Sequence, residues 1–101
     1  MMKSPEALFF TALGDRHRLR ILNALLKKPM SVNTLSSSLR IEQSNLSHHL
    51  KCLLDCRFVD VDTKGRVRTY SLSPETRELV KSMKTYINHY DRYLKKCGAV
   101  S

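Results

Sequence analysis

The segment from Ile41 to Val59 carries the feature that most constrains this chain. At about 100° per residue, one narrow stripe of a helix collects four leucines: Leu46, Leu50, Leu53 and Leu54. The early positions on the other faces are short polar groups and imidazoles: Gln43, Ser44, Asn45, Ser47, His48 and His49. Asn and Gln side chains can each make two hydrogen bonds to an adenine edge, and Ser can bond several bases. The segment therefore predicts a helix that buries its leucines and presents its N-terminal half to a DNA major groove.

Charge and length agree with a small nucleic-acid-binding domain. The chain has 101 residues, which predicts a single domain over 1–101, and its 18 Lys and Arg against 9 Asp and Glu give a net charge of +9. Such an excess favours a polyanionic partner, the alternative being a solvated basic surface. No export signal or membrane-spanning stretch is apparent, and three cysteines form an odd count. We therefore expect a cytoplasmic protein with reduced thiols and no membrane partner.

Shorter elements precede the reading helix. Caps and apolar periodicity predict helices over about 4–14, 15–28 and 34–39, the last capped by Asn33, with a strand stub at 31–32. A short helix, a tight turn and a longer polar-fronted helix form the helix-turn-helix motif, whose second helix enters the groove.

A basic hairpin follows the reading helix. Two runs that alternate with period 2, 59–64 and 66–72, flank Gly65 and predict a β-hairpin. Its tip carries Lys64, Arg66 and Arg68, which favours a wing that contacts phosphates or a narrow minor groove, the alternative being a solvated hairpin with ordinary edge charges. The predicted DNA contacts are thus Gln43, Ser44, Asn45, Ser47, His48, Lys51, Lys64, Arg66 and Arg68.

The last predicted helix spans about 74–97. Its apolar positions recur at spacings of three and four: Leu79, Met83, Tyr86 or Ile87, Tyr90, Leu94 and Cys97. Much of this face has no obvious partner in so small a chain, so we expect a homodimer seam with the apolar first helix, rather than packing within one chain. The predicted fold is mainly α with a β-hairpin wing: a winged helix-turn-helix that dimerises through its first and last helices and reads a palindromic double-stranded operator.

The chain resembles the ArsR/SmtB family of winged-helix repressors over residues 6–95. The resemblance is carried by Leu13-Gly14-Asp15 with Arg18, Arg20-Ile21-Leu22, Ser47-His48-His49-Leu50 with Leu53, and Gly65-Arg66 with Tyr70. It implies a dimeric DNA-binding protein that represses transcription and leaves its operator when an inducer binds.

Two inducer sites known in that family have no counterpart in this sequence. The arsenic- and cadmium-type Cys-x-Cys pair would lie in the helix before the reading helix, where residues 33–39 contain no cysteine. The zinc-type site on the terminal helix uses Asp-x-His and a later His, and neither 74–76 nor 87–90 supplies that set. His89 is out of register, so we interpret it as a surface or seam histidine.

A third arrangement does match. Cys52 and Cys56 lie one turn apart on the reading helix, roughly 105–145° from the leucine stripe, where a core residue is not expected. Together with Cys97 they resemble the placement in the CmtR-type cadmium/lead sensors of the family. That resemblance implies a three-thiolate site for soft ions such as Cd(II), Pb(II) or Zn(II).

Other interpretations of the cysteines remain open. The same three thiols could serve a redox-sensing repressor, because Lys51 and Arg57 flank the pair and basic neighbours lower thiol pKa values. Alternatively, the thiols pack as small hydrophobes in a winged-helix module that has no inducer. No nucleophile–base–orienter set, glycine-rich phosphate loop or carboxylate pair is apparent, so an enzyme is not predicted.

Overall fold

The computed structural model describes residues 4–97, which form five helices and three strands. In chain order these are α1 (Pro5–Leu13), α2 (Arg16–Lys27), β1 (Met30–Ser31), α3 (Val32–Leu39), α4 (Gln43–Asp55), β2 (Val59–Lys64), β3 (Val67–Leu72) and α5 (Pro74–Lys96). The order of elements is the predicted one, with α3 and α4 as the helix-turn-helix and α4 as the recognition helix.

Side-chain caps begin four of the five helices between residues 4 and 97, α4 being the exception, and one predicted cap is wrong. Ser4 Oγ accepts from the Ala7 N–H at 3.1 Å, and Asp15 Oδ1 accepts from the Arg18 N–H at 3.0 Å. The α3 helix begins at Val32, because the extended Ser31 accepts the Thr34 N–H at 3.2 Å. Asn33, the predicted cap, lies inside the first turn of α3.

The core lies between the recognition helix and α2. Leu46, Leu50 and Leu53 are at most 1% exposed, which confirms the buried stripe, whereas Leu54 is only half-buried. They join a cluster with buried side chains of α2, α3 and the sheet: Ile21, Leu22, Leu25, Leu35, Phe58, Val59, Tyr70 and Leu72. Full burial of each leucine contributes roughly 1.5–3 kcal/mol, so this stripe fixes which face of α4 remains outside.

The hairpin belongs to a three-stranded antiparallel sheet. The strand order is β1-β3-β2, so β3 is central, pairing Tyr70 with both Met30 and Val61. Lys64 pairs with Val67, and the two-residue turn is Gly65-Arg66. Gly65 has φ +60°, a conformation that favours glycine and matches the twist of a hairpin. Arg66 is thus a turn residue rather than the start of the second strand of the hairpin. The short strand predicted at 31–32 is β1, which lies one residue earlier in the chain. We call β2, this turn and β3 the wing.

The α5 helix leaves an apolar face open. Thr76 and Val80 are buried, but Tyr86, Tyr90 and Tyr93 are 57%, 46% and 62% exposed. The helix has non-helical dihedral angles at Tyr90, φ −121° and ψ 16°. Phe10 of α1 is also 68% exposed, and a groove of about 450 Å³ between α1 and α5 is lined mainly by apolar residues: Phe9, Phe10, Leu13, Leu19, Leu79 and Met83. No helix within residues 4–97 combines the length and apolar character that a bilayer crossing needs.

Candidate nucleic-acid interface

The outer face of α4 carries the predicted reading residues. Its side chains from the first three turns are exposed: Gln43, Ser44, Asn45, Ser47, His48 and Lys51. They are outside because the leucine stripe on the opposite side is buried. Two of them have local partners, since Gln43 Nε2 donates to Asn33 Oδ1 at 2.5 Å and Ser44 Oγ donates to Glu42 Oε1. Asn33, predicted as the cap of α3, therefore lies beside the exposed face of α4.

The structure brings the helix and the wing together around two adjacent grooves. The first, of about 390 Å³, is lined by Ser31, Val32, Asn33, Gln43, Ser47, Arg66, Val67 and Arg68. The second, of about 380 Å³, shares Val32, Ser47 and Arg68 and adds Lys51, Leu54, Asp55 and Tyr70. Five of the nine predicted contacts thus line one continuous surface of mixed polar and apolar side chains. Ser44, Asn45 and His48 lie on α4 outside these grooves, and Lys64 lies at the end of β2.

The cations of this surface differ in how far they are already neutralised. Lys51 Nζ lies 3.1 Å from Asp55 Oδ2, and Lys64 Nζ lies 3.9 Å from Asp62 Oδ2. Within residues 4–97, no salt bridge involves Arg66 or Arg68, which are both exposed. Exposed ion pairs are weak, so a phosphate can displace either carboxylate, but only at the cost of the existing contact. Arg66 and Arg68 are therefore the wing cations that have no carboxylate partner within the described part of the chain.

The sequence pattern predicts both His48 and His49 on the polar side of the recognition helix, but His49 is not on the outer face of α4. It is only 7% exposed and packs inward beside the leucine stripe. Its Nδ1 lies 3.4 Å from Arg18 Nη1 and 3.8 Å from Asp15 Oδ1, and its ring lies 5.5 Å from His17 and 5.8 Å from His48 between centroids. The turn between α1 and α2 therefore contacts the recognition helix through polar groups.

Burial and charge set the protonation of this cluster. Burial lowers the pKa of His49 below its ordinary value; Arg18, His17 and His48 lower it further, while Asp15 opposes them. The Arg18 N–H that Asp15 accepts lowers the pKa of that carboxyl. These shifts favour the neutral form of His49 and the ionised form of Asp15.

The cysteine pair lies at the C-terminal end of the recognition helix. Cys52 is half-buried and Cys56, the C-cap, is exposed; all three cysteines are free thiols. Partial burial raises the pKa of the Cys56 thiol, and the neighbouring Cys52 raises it further. The expected lowering by Lys51 and Arg57 is therefore not found at Cys56, and Lys51 is directed to Asp55 instead.

Cys97 does not join the pair within one chain. It is the exposed C-cap of α5. Over residues 4–97 of a single chain, no three His, Cys, Asp or Glu side chains are arranged to hold a metal ion. Cys52 and Cys56 together supply two soft donors, and a third thiolate must come from elsewhere.

Comparisons with known proteins agree with this geometry. Residues 15–61 match the family model described as "Bacterial regulatory protein, arsR family". Over 65% of its length the chain is 39% identical to the arsenical resistance operon repressor of Bacillus subtilis, and over 72% it is 38% identical to the HTH-type transcriptional regulator CmtR of Mycobacterium bovis. These alignments cover 64% and 62% of the two relatives, so the chain spans less than two thirds of their length.

A solved structure shows the same fold over most of the chain. It is the homodimeric winged helix-turn-helix DNA-binding domain of Mb0332 from Mycobacterium bovis, with a TM-score of 0.77 at 19% identity over 91% of this chain and 83% of that one. The predicted winged helix-turn-helix fold is confirmed.

Proposed function

We propose that this chain, which belongs to the arsR family of bacterial regulatory proteins, is a cytoplasmic transcriptional repressor that binds a palindromic DNA operator as a homodimer. The observation that carries the proposal is the continuous surface on which the exposed polar side chains of α4 adjoin the basic wing. To bind a phosphate backbone, a protein uses cations that are not already paired with carboxylates. To hydrogen-bond base edges, it uses exposed amides and hydroxyls. Both kinds of group occur together on this surface.

The residues of the surface divide into two roles. Ser44, Asn45, Ser47 and His48 lie on the exposed side of α4, and we assign them to base edges, with Gln43 at the helix start. Lys51, Lys64, Arg66 and Arg68 are assigned to phosphates. The Asn33 side chain holds the amide of Gln43, which orients the latter for a base or an adjacent phosphate.

The exposed apolar face supports the homodimer. The tyrosines of α5 and Phe10 of α1 are large hydrophobic side chains that are exposed to solvent. The groove between the two helices is lined mainly by apolar residues. A second copy that packs its own α1 and α5 there would cover both surfaces. The two recognition helices would then lie about one DNA turn apart, which requires a palindromic operator.

The proposal is tested with the DNA upstream of the gene. We expect the purified chain to be dimeric by light scattering and to shift one palindromic fragment but not a shuffled fragment of the same composition. Asn45→Ala should lower the preference for the palindrome, because an amide that reads a base is lost. Lys28→Ala, an exposed change at the end of α2 that lines neither the grooves beside the wing nor the groove between α1 and α5, is the control. A monomer, or equal affinity for both fragments, contradicts the proposal.

We further propose that a soft metal ion bound by Cys52 and Cys56 releases the operator. Two neighbouring thiols on one helix fit half of a thiolate site for Cd(II), Pb(II) or Zn(II). Since Cys97 ends α5, the helix assigned to the seam, we assign the third thiolate to Cys97 of a second copy. To act as an inducer, the ion must favour one state of the dimer over the other, usually by about 1–3 kcal/mol.

Cadmium titration of the protein–DNA complex tests this sensing role. We expect Cd(II) to weaken operator binding and to produce an ultraviolet thiolate-to-metal charge-transfer band. Cys56→Ser and Cys97→Ser should each abolish the release while leaving the metal-free affinity unchanged. Stoichiometric Cd(II) binding that leaves operator affinity unchanged contradicts a metal inducer. In that case, loss of affinity after diamide treatment would indicate the redox alternative, and no response to either reagent a module without an inducer.

A further inference from the structure

Arg18 joins three helices through one side chain. Its Nε donates to the Ala12 carbonyl at 2.7 Å and its Nη2 approaches the Thr11 carbonyl at 3.4 Å, so its guanidinium lies against the C-terminal end of α1. Its Nη1 lies 3.4 Å from Nδ1 of His49 on the recognition helix. The backbone of Arg18 belongs to α2, where its N–H is held by Asp15. One residue thus connects the first helix of the proposed dimer seam to the helix that reads DNA.

This contact requires one form of His49. Arg18 has only donors, so Nδ1 can accept from it only when that nitrogen carries no proton. A protonated ring would place an N–H and a positive charge opposite the guanidinium. Arg18 could move away only by giving up the carbonyls of Thr11 and Ala12, which lie at the end of α1.

Most of the charged and titratable groups around His49 oppose a positive charge on its ring, and among them Asp15 alone favours one. From α2 it faces Asp15, His17 and Arg18, and from its own helix it faces His48. Asp15 is the only acid among them, and it already accepts the Arg18 N–H as the cap of α2. His17 has a buried Nδ1 without a hydrogen-bond partner among the described residues, and its ring centroid lies 5.5 Å from that of His49.

We propose that Arg18 and His49 are positioning residues that hold the recognition helix against the end of α1, and that proton uptake by His49 releases this hold and weakens DNA binding. Neither residue is assigned to a DNA contact. The inference rests on the proposed function, because operator affinity is its readout.

The test compares pH profiles of operator affinity for the wild type and His49→Asn. The Asn side-chain oxygen lies near the position of Nδ1, so it can accept from Arg18 but does not titrate. Affinity is measured by fluorescence anisotropy over a series from about pH 7.5 to about pH 4.5, because the pKa of His49 is lowered and the fall is therefore expected below the ordinary histidine value of about 6.5. His48 is present in both proteins, so its own protonation cancels in the ratio of affinities. Lys28→Gln, an exposed change at the end of α2 that lines neither the grooves beside the wing nor the groove between α1 and α5, is the control.

We expect wild-type affinity, relative to that of His49→Asn, to fall about fivefold or more on acidification, the lower end of usual couplings between sites. The Lys28→Gln profile should follow the wild type. Arg18→Gln is a second variant, and it should bind more weakly at pH 7.5 with a flatter profile, because the opposing charge is gone. Circular dichroism and urea unfolding establish that each variant is folded.

The outcomes separate the two proposals. Superimposable pH profiles for the wild type and His49→Asn overturn the positioning role while leaving the DNA-binding proposal intact. A steep profile in Arg18→Gln also contradicts the role of the guanidinium. A wild type that binds no operator at any pH of the series overturns the proposed function and, with it, this inference.

Discussion

Replacing Arg66 or Arg68 with alanine removes a wing charge that has no carboxylate partner within residues 4–97. Both side chains are exposed and line the groove beside α4, so the substitutions remove a cation without disturbing the core. Lys64 provides the contrast, because Asp62 lies 3.9 Å from its Nζ. If the wing contacts phosphates, the arginines should contribute more than this lysine.

The expected magnitude follows from counterion release. Each phosphate neutralised contributes about 0.9 to the slope of log affinity against log salt, and a homodimer loses two contacts per substitution, or about 1.8. At about 0.15 M salt one contact corresponds to about 5-fold in affinity, so each arginine variant should bind about 30-fold more weakly than the wild type. Lys64→Ala should show a smaller change in both quantities, since part of its charge is already paired.

Fluorescence anisotropy on a labelled operator, repeated over a series of salt concentrations, measures both the affinity and the slope. Lys28→Ala is the control for net charge alone, because it removes an exposed cation at the end of α2, outside the wing and the helices assigned to the seam. Urea unfolding of every variant should give the wild-type midpoint. Folded Arg66→Ala and Arg68→Ala proteins with the wild-type salt slope would refute a phosphate-binding wing.

Three further changes test the fold around the site. Leu50→Ala should lower the free energy of unfolding by about 2–5 kcal/mol in urea, because a fully buried side chain of the recognition helix is truncated, and a loss well below this range would contradict that burial. Ser31→Ala should cost about 1 kcal/mol as the loss of the α3 cap, and an equal loss in Asn33→Ala would show that Asn33 is the cap after all. The pKa of Asp15 is lowered in the folded chain, so this carboxylate stabilises the fold above the ordinary pKa of 3.8. That contribution is lost as the pH falls through the lowered pKa. The stability of Asp15→Asn should therefore depend less on acid pH than that of the wild type, and an unchanged dependence would contradict the assignment.

Local patterns were sufficient for most of the fold. The leucine stripe of α4, the Ser4 and Asp15 caps and the alternation around Gly65 each depend on residues close together in the chain, and each predicted its element. The position of His49 was also contained in the spacing. It lies three residues after Leu46 and four before Leu53, on the buried side, but its polar character led to the opposite assignment.

Other features depend on partners distant in sequence. Arg18 meets His49 across 31 positions, and no local pattern pairs them. The choice between Ser31 and Asn33 as the cap is also settled at long range, because pairing with Thr69 holds Ser31 extended. For the same reason, the spacing of Cys52 and Cys56 predicted a neighbouring pair but carried no information on where Cys97 would lie.

Because β3 is the central strand, the wing and the start of α3 cannot be exchanged independently of each other. Ser31 ends the strand that pairs with β3 and also caps α3, so the first turn of α3 depends on Thr69 of β3, 38 residues further along the chain. A chimaera that exchanged only the wing for that of a relative would therefore also alter where α3 begins. Grafting experiments on this protein should transfer 30–72 as one cassette.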